Sequence, residues 1–164
     1  MVQAVKRKIN IESTVVSYYA GHSTRDLIIA ARQEETRALW PRLLDDYDSC
    51  ISALVLAESR EGNPELAKKR MDALKPFPVL DVTPEAEALA KDLVKKGAVP
   101  ESYPEDALHI AIAAANGMEI ILSLNFKHIN NPFLFAKIRS VVEEAGYKCP
   151  EICSPEQLLE NDHE

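Results

Sequence analysis

Polar and apolar positions along the chain follow two rhythms. Lys8 to Ile11 alternates polar and apolar residues and reads as a short strand running into Glu12. Asp48 to Ser52, Val79 to Val82, Ile120 to Leu122, and Ile152 with Cys153 read as further short strands. Between them the spacing turns helical. Ser13 and Thr14 stand where they can cap a helix carrying Val15, Val16, Tyr18 and Tyr19, which Gly21 stops. Ser23 is an N-cap candidate for a second helix, with Leu27, Ala30, Ala31, Ala38 and Leu39 at helical spacing, and Pro41 predicts a kink or break in it. Ser52 or Ala53 opens a helix over ALVLAESREG that Gly62 ends, and Asn63 to Leu74 is amphipathic with Pro64 near its first position. Thr83-Pro84-Glu85-Ala86 is an N-cap signature for a helix ending at Gly97. A proline-punctuated loop then leads into an apolar helix with Asp106 in its first turn. Asn131-Pro132 begins a helix through Ala145, and Ser154-Pro155-Glu156-Gln157 caps a last one that frays over Asn161 to Glu164.

Strands alternating with helices predict an α/β fold, a mainly parallel central sheet covered on both faces by right-handed crossovers. No linker-like stretch and no internal repeat divides the chain, so residues 1–164 are expected to form one domain. The hydrophobic share of 46% and the charged share of 27% are globular values, and no apolar run has the length of a membrane span. The basic residues near the start are not followed by an apolar segment of the kind that directs export, which points to a cytoplasmic protein. Three cysteines, Cys50, Cys149 and Cys153, are an odd count that suits free thiols. Cys149 and Cys153 have the spacing of half a zinc site, but no second pair matches them, and small buried residues is the better account.

A formal charge of −7 opposes nonspecific binding to a polyanion. Any nucleic-acid chemistry must therefore be local, resting on metal ions or on cations such as Arg7, Lys8, Arg25, Lys68 to Arg70 and Lys127; the Lys68 to Arg70 run reads as the outer face of a helix. Three acids stand out against this background. Glu12 closes the first strand, Glu58 is a charge in a segment otherwise apolar from Ile51 to Ala57, and Asp106 sits at the head of an apolar helix that leads into the strand before Ser123 and Asn125. A carboxylate in a first helical turn is favoured by the unpaired N–H groups and the helix dipole, an ordinary capping role, and Asp26 fits that role best. A carboxylate beside the carboxyl end of a strand is also where open α/β sheets place their sites. His109, three residues after Asp106, reads either as a partner for that carboxylate or as a buried histidine satisfied locally.

The segments KINIESTVVSYY (Lys8 to Tyr19), SALVLAE (Ser52 to Glu58) and Glu105 to His128, taken in order, resemble the PIN domain, the metal-dependent nuclease fold of VapC-type toxins. The resemblance covers most of the chain and implies a three-layer α/β/α architecture. It also implies that Glu12, Glu58 and Asp106 hold Mg²⁺ or Mn²⁺, that Asn125 falls where a fourth acid usually stands, and that Ser123 supports the site. Two departures are visible. Glu12 is one methylene longer than the family's usual Asp, a difference that matters to an ion with bonds of ~2.1 Å. Asn125 offers an oxygen without a charge, so one metal should bind better than two. Arg25 and Lys127 are the candidates for meeting substrate phosphates.

On that resemblance the expected activity is endoribonucleolytic, hydrolysing RNA phosphodiester bonds to leave 5′-phosphate and 3′-hydroxyl ends. An antitoxin and a second copy of the chain are the partners it implies. Two rivals remain. A receiver-like α/β domain also binds Mg²⁺ through carboxylates, but it would need adjacent acids after the first strand, whereas two of the three acids here lie on helices. A catalytically weak or inactive PIN-like module, kept for binding RNA or protein, would account for Glu12 and Asn125 as marks of a decayed site.

Overall fold

A computed structural model of the chain describes residues 5–161. The elements follow in the order β1 (Lys8–Ile11), α1 (Ser13–Ala20), α2 (Leu27–Asp45), β2 (Asp48–Ser52), α3 (Ala53–Ser59), α4 (Pro64–Leu74), β3 (Val79–Leu80), α5 (Pro84–Lys95), α6 (Pro104–Ala115), β4 (Ile120–Leu122), α7 (Pro132–Glu144), β5 (Glu151–Cys153) and α8 (Pro155–Asn161). The five strands form one sheet in the order β3-β2-β1-β4-β5, and every pairing is parallel rather than mainly so.

Side chains alternate across a strand, and this sheet uses both faces. Ile9, Ile11, Ile51, Ile120 and Leu122 face one way, onto Val15 and Val16 of α1, Leu39 and Leu43 of α2, and Leu158 of α8. Cys50 and Ile121 face the other way, onto Leu89 and Leu93 of α5, Ile110 of α6, and Ile138 and Val142 of α7. Two apolar cores on opposite sides of a short sheet make three α/β/α layers, as the alternating pattern predicts.

Several boundaries differ from the sequence reading, each for a local reason. Glu12, not Ser13 or Thr14, caps α1, because its longer side chain folds back to accept from the Thr14 N–H. Asp26, not Ser23, caps α2; its Oδ1 accepts from the N–H groups of Ile28 and Ile29 at 3.0 and 3.1 Å. Pro41 does not break α2, which runs through it while Leu39, Trp40 and Leu43 stay buried; packing outweighs the lost backbone donor. The strand expected over Val79 to Val82 pairs only at Val79 and Leu80. Asn161 belongs to α8, and residues 162–164 lie outside the described residues.

The topology fixes where a site can form. From β1 the chain winds outward through β2 and β3, then returns to the other side of β1 with β4 and β5. In such a sheet the crevice at the carboxyl ends of the two strands where the winding reverses is left uncovered by crossovers. Glu12 follows β1 and Ser123 follows β4, so both stand at that reversal.

Candidate active site

Glu12, Glu58, Asp106 and Asn125 line one cleft of about 500 Å³, together with Ser13, Thr14, His109 and Arg70. Each comes from a different piece of backbone. Glu12 is the cap between β1 and α1, Glu58 lies in the last turn of α3, Asp106 in the first turn of α6, and Asn125 in the turn after β4.

Glu12 is 3% exposed and is held by uncharged donors. Its Oε1 accepts from the hydroxyls of Thr14 and Ser123, both at 2.6 Å, and its Oε2 from the Thr14 N–H at 2.9 Å. The two hydroxyls are themselves fixed, since Thr14 Oγ1 accepts from the Leu124 N–H at 2.8 Å and Ser123 Oγ from the Asn125 N–H at 3.0 Å. Three donors, two of them locked by the β4 turn, make this a rigid carboxylate. Ser123 thus supports the first acid directly.

The other two acids are held by imidazoles. Glu58 Oε1 accepts from His109 Nε2 at 2.5 Å and from the Ser13 hydroxyl at 2.9 Å. Asp106 Oδ2 accepts from His128 Nδ1 at 2.8 Å. Neither partner lies near its acid in sequence except by way of the fold: His109 is 51 residues from Glu58 and His128 is 22 from Asp106. His109, three positions after Asp106, therefore serves Glu58 of α3.

Burial opposes a charge on His109, but the hydrogen bond to Glu58 and the nearby carboxylates of Glu12, Glu58 and Asp106 outweigh it and hold the imidazole above its ordinary pKa. Burial likewise opposes charge on Glu58, and there the His109 hydrogen bond and charge, with the Ser13 hydroxyl, prevail and hold the carboxyl below the usual range. The two shifts run in opposite directions and favour the ionic pair. It is not an arrangement built for stability alone, because among the described residues His109 Nδ1 is buried without a hydrogen-bond partner, a cost of about 1–3 kcal/mol.

A shared pattern emerges from these bonds. Among the described residues, both donors to Glu58 fall on Oε1 and the donor to Asp106 falls on Oδ2, so Glu58 Oε2 and Asp106 Oδ1 stay outside the hydrogen-bond network, while Glu12 Oε2 accepts one bond only. Carboxylate oxygens of this kind are the donor type that Mg²⁺ and Mn²⁺ prefer. As they stand, no three His, Cys, Asp or Glu side chains among the described residues are drawn close enough to form a ligand cluster. The donor chemistry fits a hard divalent ion, and the cleft is wider than a finished coordination sphere.

The PIN domain family model matches residues 26–133, well over half of the 164 residues. The chain belongs to the PIN domain family. Among solved structures, this PIN domain is similar to a chain in the crystal structure of VapBC2 from Rickettsia felis bound to a DNA fragment from their promoter. The identity is 15%, the alignment covers 90% of this chain and 98% of that one, and the TM-score is 0.59, a likeness of fold. No curated protein sequence matches the chain. The matched family segment holds Glu58, Asp106 and Asn125 but begins after Glu12, whose place in the cleft rests on the structure of β1 and α1.

The remaining sequence candidates of this PIN domain fall on both sides of expectation. Asn125 lines the cleft, but its Oδ1 already accepts from the His128 N–H at 3.1 Å, closing the turn that carries His128 to Asp106. Lys127 extends over the Tyr103 ring at the head of α6, with Nζ 5.7 Å from its centroid. Arg25 is exposed in the loop before α2 and is not among the residues lining the cleft. Arg70, read from sequence as an outer-face charge, does line the cleft and donates to the carbonyls of Ser59 and Glu61. His128 is the site residue that sequence reasoning missed. Its signal was an Asx turn, Asn125 followed three residues later by His128, which only the fold connects to Asp106. Cys50, Cys149 and Cys153 are free thiols; burial, with Glu151 adding to it, pushes Cys153 up to about 11. Cys50 and Cys149 are buried, as the sequence reading expects, and Cys153 is half-buried.

Proposed function

We propose that this PIN domain is a metal-dependent endoribonuclease that hydrolyses RNA phosphodiester bonds, acting as the toxin of a cytoplasmic toxin–antitoxin pair. The observation that carries the reading is the convergence of three carboxylates, Glu12 after β1, Glu58 on α3 and Asp106 on α6, on one cleft, with Glu58 and Asp106 each held through one oxygen only. Among the described residues no lysine or arginine pairs with these acids, and His109 answers only Glu58, so a cation that joins all three is favoured. In this reading Glu12, Glu58 and Asp106 hold Mg²⁺ or Mn²⁺, and Asn125 shapes the turn beside them. Such an ion, when bound, acidifies a water and offsets charge developing on the phosphate. The chain's own contribution is positional. Thr14 and Ser123 keep Glu12 still, His109 and His128 orient the other two acids, and Lys127 offers a positive charge to the phosphate backbone. An antitoxin partner is proposed by analogy with the VapBC2 complex, and a homodimer from the family resemblance.

The second reading is a PIN-like module that binds RNA or protein without cutting, and one observation favours it. Glu12 is buried and accepts three hydrogen bonds, which leaves it little capacity for an ion. Incubating purified protein with RNA in Mn²⁺, in Mg²⁺ and in chelator, beside Asp106→Asn and Glu58→Gln, separates the two. Cleavage that needs the metal and both acids supports the nuclease; equal, metal-independent outcomes for all three proteins overturn it.

A further inference from the structure

Among the described residues, two buried side-chain atoms lack a hydrogen-bond partner, Asn10 Oδ1 and His109 Nδ1. Asn10 is 1% and His109 2% exposed, so water at the surface reaches neither. An amide in the middle of a central strand, where an apolar side chain of the same shape would pack without that cost, calls for a reason. The topology brings the two residues onto one face of the sheet. Ile9 and Ile11 turn toward α1, α2 and α8, so Asn10 between them turns toward α5, α6 and α7. There its register partners are Cys50 of β2 and Ile121 of β4, and both belong to the core that α6 packs on through Ile110, Ala113 and Ala114. α6 descends over this face from Asp106 in the cleft to Ala115, after which the chain enters β4 at the far end of the sheet. His109 therefore stands one turn below the mouth of the cleft. Asn10 precedes Glu12 by two residues on β1, and the Glu12 carboxylate is near enough to His109 to act on its charge.

From this juxtaposition we infer that Asn10 is a positioning residue of the site, joined to His109 by one buried water that accepts from Nδ1–H and donates to Asn10 Oδ1. The two atoms are complementary. In the ionic pair with Glu58 both ring nitrogens carry protons, so Nδ1 needs an acceptor, while Oδ1 of an amide can only accept. Buried waters in proteins stand mostly between polar groups that have no other partner. Anchored at both nitrogens, the imidazole cannot turn about its Cβ–Cγ bond, and Glu58 keeps Oε1 on the ring and Oε2 available to a cation. The floor of the sheet thus sets the orientation of an acid on α3, through a histidine on α6. The inference rests on the nuclease reading for what Glu58 does there, and adds a residue that touches neither ion nor substrate.

The test reads the hydrogen bond first and the metal second. In chelator, nuclear magnetic resonance of protein with isotopically labelled histidines should show a slowly exchanging Nδ1–H, assigned to His109 by its loss in His109→Gln. The signal should persist in Asn10→Asp, which keeps the acceptor oxygen, and disappear in Asn10→Leu, which keeps the shape. A high-resolution crystal structure should place a water within about 3.2 Å of both atoms. Asn10 acts one step further from the ion than His109, so Asn10→Leu should weaken Mn²⁺ binding in calorimetry by about threefold to tenfold, less than the roughly 10–100-fold of a partner bonded directly to a ligand. In a His109→Gln background the same substitution should change nothing further. An idle amide behaves differently: its replacement by leucine raises the melting temperature and leaves metal affinity alone, and that result overturns the inference, as does a His109 signal unchanged in Asn10→Leu. If Asn10→Leu does not fold, the parent decides, since an Nδ1–H that exchanges at once, or no water between the two atoms, overturns it equally. The two ideas fail separately. A parent that shows the bridge but binds no Mn²⁺ removes the nuclease and leaves Asn10 on His109. Metal-dependent cleavage that Asn10→Leu performs at the parent's Mn²⁺ affinity removes the positioning role and leaves the nuclease.

Discussion

Glu12 on one wall of the cleft and Glu58 with Asp106 on the other are all carboxylates, yet the protein holds them by different means. The sheet-side acid is fixed by two hydroxyls and a backbone N–H, all uncharged. The helix-side acids each face an imidazole, His109 for Glu58 and His128 for Asp106. Location explains the contrast. Glu12 stands at the carboxyl end of β1 among donors supplied by the start of α1 and the β4 turn, whereas Glu58 in the last turn of α3 and Asp106 in the first turn of α6 meet histidines brought in from α6 and from the β4 turn. An acid anchored by hydroxyls and backbone thus stands with two acids held by imidazoles.

Breaking each wall in turn tests the comparison, and the largest effect should come from the acids themselves. Asp106→Asn and Glu58→Gln should each lower metal-dependent cleavage by more than about 100-fold, since even partners outside a metal's ligand set typically cost 10–100-fold. Circular dichroism of both variants should match the parent; a rate within a few-fold of the parent would remove these acids from the chemistry. One step back from the metal, His109→Gln and His128→Gln should cost roughly 10–100-fold in Mn²⁺ affinity measured by calorimetry. On the sheet side, Thr14→Val deletes one hydroxyl that both donates to Glu12 and accepts from Leu124. It should lower unfolding stability by about 1–3 kcal/mol in a urea melt. If the histidine variants lose stability and Thr14→Val loses none, the two walls have been assigned the wrong way round.

A pH series sharpens the same contrast without metal. His109 has a raised pKa in the folded chain, so its contribution is complete below the unfolded value of 6.5 and is lost as pH rises through the folded value. Glu58 has a lowered pKa, so its contribution is complete above 4.5 and is lost as pH falls through the folded value. Both are whole between pH 4.5 and 6.5. The groups facing this pair are Ser13 on α1, Glu12 after β1 and Asp106 on α6, and none of them reverses the direction. The melting temperature of the protein in chelator should therefore fall on the alkaline side of that window, and His109→Gln should flatten that limb. A parent and variant with parallel curves above pH 6.5 would show that the pair contributes nothing to folding.

Sequence patterning located the elements well because their cause is local. The period-two stretch at Lys8 to Ile11, and Asn-Pro or Thr-Pro starts at Asn63, Thr83 and Asn131, announce a strand and caps through side chains that act on their own backbone. Of the three acids that line the cleft, Glu58 was legible as a charge in an apolar run, Glu12 as the acid closing a strand and Asp106 as an acid at the head of an apolar helix. What held them was not. The pairing of Glu58 with His109 and of Asp106 with His128 needs the positions of α3, α6 and the β4 turn in space, and no spacing rule carries that over 51 or 22 residues. Nor did the charge runs show which cations matter. Arg70 reaches the cleft because its helix turns that face inward, while Lys68 and Lys69 stay exposed.

The smallest expected effect concerns Asn125, which joins the two walls. Its Oδ1 is committed to the His128 N–H, so it is first the clamp of the turn that presents His128 to Asp106 and only then a neighbour of the cleft. Asn125→Asp keeps an oxygen for that hydrogen bond and adds a negative charge beside Glu12 and Asp106. The clamp should survive, and the added charge should tighten Mn²⁺ binding in the free protein by a few-fold, about 1 kcal/mol for a charge acting through partly exposed surroundings. The half-saturating metal concentration for cleavage should fall in parallel. Maximal rate need not rise, because an ion drawn toward Asn125 moves away from Glu12, whose hydroxyl anchors do not follow it. Calorimetric Mn²⁺ titrations of both proteins, with cleavage measured across the same concentrations, read both quantities. Superimposable curves would mean that position 125 acts only through the turn, leaving the ion to the three acids.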